Sequence, residues 1–408
     1  MDNEVFEFIE GGVTVVPGFT ASGVHCGIRK NKTKRDLALI MADRECNAAA
    51  VYTTNKVKAA PILLTMENLK NNRARGIIAN SGIANACAPG GMDAAKQTLS
   101  ALAEKTGFMP EDFIINSTGV IGQPLPVDRI IGTLDDLVKN LDKSIEPVSE
   151  AIMTTDTFPK TAAVQFKIGN KTVTIGGIAK GSGMIHPNMA TMFAFLTTDC
   201  NISAPMLQAA LSKSVDCTYN RISVDGDTST NDMTAILASG GAGNTEISDT
   251  GADFNTFVTA LDALNLKLAK DIARDGEGAT KLITCRVEGA VSLESAVTLA
   301  KGVISSSLVK AAMFGEDANV GRVLCAMGYS GADFDPTKVD MTLSSRTGSL
   351  EVCRQSVGLP FDEDKARTIL SQDEVTIEVN LQEGDHNACA YGCDLTYDYV
   401  KINGDYRS

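Results

Sequence analysis

The stretch Lys180-Gly-Ser-Gly-Met-Ile-His-Pro-Asn-Met-Ala-Thr-Met-Phe-Ala-Phe-Leu-Thr-Thr-Asp199 decides how this chain is read. It passes from a polar loop punctuated by glycine into an apolar, strand-like run, and it sets one hydroxyl, Thr191, at the junction. Ala190 in front of it is small, so the peptide bond entering Thr191 is sterically open. A hydroxyl held against its own preceding carbonyl can attack it. That route cuts the chain and leaves Thr191 as a new N-terminus, whose freed amine can act as base for its own hydroxyl. From composition and spacing alone, however, Thr191 is one threonine among many, and a strand-start threonine is the plainer reading.

Working outward, strand-like runs precede this stretch at Leu37–Met41, Ala49–Thr53, Gly76–Asn80, Phe113–Ser117, Ala162–Phe166 and Val173–Ile178. Helical periodicity marks Ala94–Lys105, closed by Gly107 and Pro110, then Pro205–Val215 after the capping residues Asn201 and Ser203. Phe254–Ile272 carries Phe257, Leu261, Leu264 and Leu268 on one face, and Leu308–Phe314, Val320–Met327 and Asp362–Leu370 read as shorter helices. Strands often follow strands, which favours α+β layers over a regular βαβ alternation. The length of 408 residues allows two or three domains or one large unit, and the clearest break in composition lies at Lys180–Ala190.

A net charge of −13 argues against nucleic acid or an anionic membrane as partner. No apolar run approaches the roughly 18 residues of a membrane helix, and the acidic N-terminus shows no targeting segment. Ten scattered cysteines, the nearest pair being Cys389 and Cys393, read as reduced and mostly buried in a cytoplasmic protein. The three histidines, His25, His186 and His386, stand in no metal or triad spacing. No metal site is expected, and no phosphate-binding glycine loop is present.

Three polar segments remain as candidates. Asp225-Gly-Asp-Thr-Ser-Thr-Asn-Asp232 glances at a calcium loop but lacks its mid-loop glycine and closing glutamate; it reads as a polar turn between strands Arg221–Val224 and Met233–Ala238, or as a place where Asp225 or Asp227 orients active-site groups. Gly276-Glu277-Gly278 is either a helix end with a solvated carboxylate or a carboxylate carried into a pocket. Asn116-Ser-Thr-Gly-Val-Ile-Gly122 ends a strand with hydroxyls and a glycine N–H, which suits either an oxyanion hole or a simple turn.

Read together, these segments resemble the ornithine acetyltransferase family, also called glutamate N-acetyltransferase, of arginine biosynthesis. The resemblance spans nearly the whole chain. It is carried by Tyr52-Thr-Thr-Asn-Lys-Val-Lys-Ala-Ala-Pro61, Asn80-Ser-Gly-Ile-Ala-Asn-Ala-Cys87, Asn116–Gly122, Met153-Thr-Thr-Asp-Thr157, Lys180–Met184, Asn188-Met-Ala-Thr-Met192, Asp275-Gly-Glu-Gly-Ala-Thr-Lys281 and Gly392–Asn403. It implies an α+β fold, a helix–sheet–sheet–helix sandwich akin to N-terminal-nucleophile hydrolases with its own topology. It implies self-cleavage between Ala190 and Thr191 into an α chain, 1–190, and a β chain, 191–408. It implies a ping-pong reaction in which Thr191 takes acetyl from N2-acetyl-L-ornithine and passes it to L-glutamate, with no cofactor.

By the same resemblance, Thr118 and Gly119 hold the oxyanion, Lys180 meets the substrate carboxylate, and Glu277 meets the cationic end of ornithine. Thr154 or Thr155, Asn403 and Ser408 also line the substrate site, and two cleaved protomers assemble as α2β2. The chain departs from the family at Val320 and Tyr391, where a tryptophan is common, at His186, where a small residue is usual, and at Ser408, where threonine is frequent. Two enzymatic alternatives stay open: a bifunctional protein that also uses acetyl-CoA, and a self-cleaving aminopeptidase or amidase.

Overall fold

Leu37, Leu39 and Met41 enter one hydrophobic core while Ala38, Ile40 and Ala42 enter another. This period-two division means that the strand is covered on both faces. The computed structural model describes residues 5–186 and 192–405. It divides into two units, the first drawn from Met1–Gly181, Pro187–Asn220 and Thr228–Ala269, the second from Ser182–His186, Arg221–Asp227 and Lys270–Ser408.

The first unit is built on a nine-stranded mixed sheet. From one edge the strands run Phe6–Ile9, Lys160–Ile168, Lys171–Lys180, Phe193–Thr198, Met233–Ala238, Leu37–Tyr52, Arg73–Asn80 and Phe113–Ser117, with Phe19–Val24 also paired to Leu37–Tyr52. The middle strands Phe193–Thr198 and Met233–Ala238 are buried along their whole length and pair in parallel, so their apolar runs have no polar face to show. Helix Gly91–Thr106 packs Ala95, Leu99 and Leu102 against Phe113, Ile115 and Ile78. Helix Glu146–Ile152 joins the opposite core with Val148, Ala151 and Ile152. Gly107, at φ 76°, closes Gly91–Thr106 in the left-handed region where glycine is unstrained.

The second unit has a seven-stranded sheet in the order Val357–Gly358, Gly348–Arg354, Asp340–Ser345, Glu374–Asn380, Leu282–Ala290, His386–Cys393 and Ile222–Ser223. Val375, Ile377 and Val379 bury one face of their strand in the core that Leu299, Ala300 and Val303 of helix Leu293–Ser305 also enter. The alternate residues, Glu374, Thr376, Glu378 and Asn380, are not buried. Two shorter helices are held by side-chain caps: Ser306 accepts from Val309 N–H and Asp362 from Asp364 and Lys365 N–H.

The α+β class expected from the sequence is the class observed. All six helical patterns are helices, Ala94–Lys105 extending to Gly91–Thr106 and Phe254–Ile272 to Ala252–Arg274. Leu37–Met41 and Ala49–Thr53 are not separate strands. They belong to one strand, Leu37–Tyr52, whose polar middle is absorbed by a register shift between Met41 and Cys46. The expected strand Arg221–Val224 shortens to Ile222–Ser223. The ten cysteines are free and six are buried. Among the described residues, no single helix is long and apolar enough to cross a membrane. The expected division after Ala190 is a covalent one, and Ala190 and Thr191 lie outside the described residues.

Candidate active site

In the first unit, strand Phe113–Ser117 runs out into Thr118 and Gly119 beside the loop that follows Arg73–Asn80. The pairing continues beyond the strand ends: Thr118 N–H donates to Asn80 O at 2.9 Å, Val120 N–H to Gly82 O at 3.1 Å and Ala84 N–H to Val120 O at 3.0 Å. Gly119 lies at φ 126°, and a Cβ there would stand 2.2 Å from the carbonyl carbon of Gly82. Only glycine fits this close approach. With both neighbouring amides used in pairing, the Gly119 N–H has no acceptor among the described residues. The tip therefore presents a backbone donor next to a threonine hydroxyl, the pair that an oxyanion hole needs.

Polar side chains lock this tip. Ser117 Oγ donates to Asn80 Oδ1 at 2.6 Å, and Asn80 Nδ2 to Ile83 O at 2.9 Å. Asn231 Nδ2 donates to Ala84 O at 2.6 Å and to Ser117 O at 2.8 Å, while Asn116 Nδ2 returns a bond to Asn231 O at 3.0 Å. Lys180, the last residue of its strand and 7% exposed, brings Nζ to 3.4 Å from Thr118 Oγ1. The lysine donates, so the Thr118 O–H is left to point elsewhere.

Asp156 organises the ground beside Lys180. Its Oδ1 accepts from Lys160 Nζ at 2.7 Å and from Gly181 N–H at 2.7 Å, and its Oδ2 accepts from Thr154 N–H at 2.9 Å. The Asp156 and Lys160 side chains are both fully buried. Burial pushes the Asp156 carboxyl up, but the Lys160 and Lys180 ammonium groups and the hydrogen bonds outweigh it and bring it down to about 2. Thr154 is thus fixed through its backbone, which also accepts from Arg29 Nη2 at 3.0 Å; Thr155 is half-buried.

Asp232 behaves differently. It is 4% exposed, and its Oδ2 has no hydrogen-bond partner among the described residues. Burial holds its carboxyl well above the usual carboxylate range, and Lys180 and Ser229 oppose this without cancelling it. Its backbone is anchored, since Asp232 O accepts from Thr53 N–H at 3.0 Å and Met233 N–H donates to Met192 O at 3.0 Å.

In the second unit, Glu277 is 7% exposed and so is not the solvated carboxylate of a simple helix end. Its Oε2 accepts from Asn403 Nδ2 at 2.7 Å, and its N–H donates to Ser182 O at 3.0 Å. A Cβ on Gly183 would stand 2.4 Å from the Glu277 carboxyl carbon, and one on Gly276 would stand 2.5 Å from Cys393 Sγ. The glycines here are spaces that the glutamate and its neighbours occupy. Asp225 accepts from Met184 N–H at 2.7 Å and Ile185 N–H at 2.8 Å, so it fixes the backbone of that loop. His186 Nδ1 lies 2.9 Å from Ser223 Oγ, and burial, aided by the charge of Lys301, lowers its imidazole to about 4.

The structure thus joins Thr118, Gly119 and Lys180 in one unit, with Thr154 tied to their surroundings through Asp156, and joins Glu277 with Asn403 in the other. Ala190, Thr191 and Ser408 lie outside the described residues. Sequence reasoning missed Asp156, Lys160, Asn231 and Asp232. Asp156 lay inside a quoted segment and Asp232 closed another, but nothing in a polar run says which of its members is buried.

The ArgJ family profile matches residues 20–408. The chain is similar to the arginine biosynthesis bifunctional protein ArgJ 1 of Clostridium acetobutylicum, 51% identical over 398 residues and 97% of each chain. It is also similar to the arginine biosynthesis bifunctional protein ArgJ of Symbiobacterium thermophilum, 51% identical over 405 residues, 98% of this chain and all of the other. A crystal structure of the ArgJ protein of Bacillus halodurans, 46% identical, aligns with a TM-score of 0.49 over 52% of this chain and 97% of the other.

Proposed function

The chain belongs to the ArgJ family, and we propose from that premise that it carries acetyl groups from N2-acetyl-L-ornithine to L-glutamate in arginine biosynthesis. Thr191 is the nucleophile, exposed as an N-terminus by cleavage after Ala190. Its Oγ attacks the acetyl carbonyl, its α-amine takes the hydroxyl proton, and the tetrahedral centre collapses with that proton delivered to the departing ornithine amine. Glutamate's amine then attacks the acetyl ester and restores the hydroxyl.

The observation that carries this reading is the tip at Thr118 and Gly119 beside Lys180. It offers a hydroxyl, an N–H without an acceptor among the described residues, and an ammonium group, all suited to a developing negative charge. Lys180 is assigned the substrate carboxylate. Glu277, held by Asn403, is assigned the cationic end of ornithine, and Thr154 or Thr155 and Ser408 are assigned to substrate contacts. Incubating the purified protein with N2-acetylornithine and glutamate yields ornithine and N-acetylglutamate, and Thr191→Ala abolishes it. No product from the wild type, or full activity in Thr191→Ala, overturns the assignment.

A second reading adds acetyl-CoA as donor, favoured by the word "bifunctional" in the names of both relatives. Replacing acetylornithine by acetyl-CoA in the same assay decides it. We assign the cleaved protein an α2β2 assembly in the cytoplasm. Size-exclusion with light scattering checks the assembly, and cell fractionation the location.

A further inference from the structure

The tip at Thr118 and Gly119 and the segment at Thr154 are assigned to one and the same substrate, so the separation between them has to be fixed. We propose that Arg29 is the positioning residue that fixes it, and that it thereby sets the KM for the acetyl donor. This rests on the reading above, in which the tip holds the oxyanion and the Thr154 segment meets the substrate.

Arg29 touches both sides. Its Nη1 donates to Met153 O at 3.1 Å and its Nη2 to Thr154 O at 3.0 Å. Helix Glu146–Ile152 has ended there and Met153 is extended, so these two carbonyls lie beyond the helical ladder and take their donors from elsewhere. A planar fork meets two neighbouring carbonyls at once, which a single ammonium group does less well. The stem of Arg29 runs along Gly82. A Cβ on Gly82 would stand 3.1 Å from Arg29 Cγ and 2.9 Å from Ile28 Cγ2. Gly82 is also the residue that closes on Gly119 and accepts from Val120 N–H. One side chain therefore packs behind the oxyanion tip and ends on the substrate segment.

Arg29 is itself held. Asp36, which has no solvent contact, accepts from Arg29 N–H at 2.8 Å and from Cys26 N–H at 2.6 Å, and its backbone O accepts from Ser81 N–H at 2.9 Å. Ser81 precedes Gly82, so the same aspartate anchors the arginine and the chain that backs the tip. Six residues on, Arg35 pairs with Glu150 in the last turn of the helix that leads into Met153. From Thr154 the contacts continue: its N–H reaches Asp156, which also accepts from Gly181 N–H beside Lys180. Lys180 Nζ then stands 3.4 Å from Thr118 Oγ1. The contacts run in a ring from Gly119 through Gly82, Arg29, Thr154, Asp156 and Lys180 back to Thr118. Removing the guanidinium opens that ring between Gly82 and Thr154, while the tip keeps its own bonds to Asn80 and Asn231.

The full chain is prepared as wild type, Arg29→Ala and Arg29→Lys, and melting temperature is measured beside the kinetics of acetyl transfer from N2-acetylornithine to glutamate. Arg29→Ala should lose about 100-fold in kcat/KM, the size of effect expected of a misplaced contact. Most of the loss should be a rise in KM for acetylornithine, because the tip stays built while the substrate segment loses its place. Incomplete self-cleavage would lower kcat and leave KM, so it cannot mimic this result. Methylguanidinium, which restores the fork, should bring KM partly back in Arg29→Ala; methylammonium at the same concentration should not. Arg29→Lys keeps the charge and the stem. It should melt like the wild type and still show a raised KM, and it decides the matter if Arg29→Ala fails to fold. An unchanged KM in Arg29→Lys, equal rescue by the two ions, or a loss that tracks the unfolded fraction each overturns the role of Arg29 while leaving Thr118, Gly119 and Thr191 in place. A wild type that transfers no acetyl group overturns the parent reading and this one with it.

Discussion

Replacing Asp156 with asparagine removes the negative charge from a pair whose two side chains have no solvent contact and whose N–O distance is 2.7 Å. The amide keeps the volume but takes the opposite charge away from Lys160. Breaking a buried pair from one side costs about 3–5 kcal/mol. The ring of Phe158, 4.9 Å from Lys160 Nζ, offsets a part, so we expect about 3 kcal/mol. The lowered carboxyl points to a cost of similar size. The carboxyl falls from its ordinary 3.8 to about 2, which is linked to about 2 kcal/mol of stability. Because the folded value is the lower one, this contribution is present above the unfolded value and is lost as pH falls through about 2. Urea unfolding at a series of pH values therefore shows the full gap between wild type and Asp156→Asn from pH 7 to pH 5, closing toward pH 2. Lys160→Met in the Asp156→Asn background should recover part of the loss, since the buried ammonium that faced the carboxylate is then gone as well. A cost under about 1 kcal/mol for Asp156→Asn at pH 7, or a gap that does not close in acid, refutes the claim that this pair is ionised and coupled.

Gly119→Ala places a methyl group 2.2 Å from the Gly82 carbonyl carbon in a left-handed conformation; turning its N–H away should lower kcat by about 100- to 1000-fold, measured by initial rates of ornithine release. Gly183→Ala drives a methyl into the Glu277 carboxyl, so KM for acetylornithine should rise more than kcat falls; an unchanged KM counts against Glu277 as a substrate contact. Burial lowers the Lys301 ammonium to about 8 from 10.5, so between those values the unfolded chain holds the extra proton and stability rises with pH. Thermal melting from pH 7 to pH 10 should show that rise in wild type and a flatter profile in Lys301→Met.

The helices were legible because their apolar periodicity and stop signals are local. Gly107 ends Gly91–Thr106 by a conformation that glycine alone adopts cheaply. The long strand Leu37–Tyr52 was not legible as one element, because Asp43, Arg44 and Glu45 interrupt its apolar pattern where the ladder shifts register. At the site, Gly119 and the glycine-flanked Glu277 stood out because glycine marks close backbone approach. Lys160 did not: a lysine at a strand start reads as solvated, and its full burial depends on a carboxylate four residues earlier turning back to meet it. Asp232 gave even less, because an aspartate before an apolar strand looks the same whether water reaches it or not.

The strand order in the first unit has a consequence for any molecule nicked between residues 190 and 191. Phe193–Thr198 and Met233–Ala238 lie after the nick in sequence, yet in the sheet they sit between Lys171–Lys180 and Leu37–Tyr52, which both lie before it. The fragments would be interleaved like the fingers of two hands. Taking them apart would unzip ladders on both sides and bare four strand edges at once, an aggregation hazard. Such a nicked protein should elute from native columns as one species and separate only under denaturant. Either fragment made alone should be insoluble, while co-production of the two offers a direct route to splitting the gene.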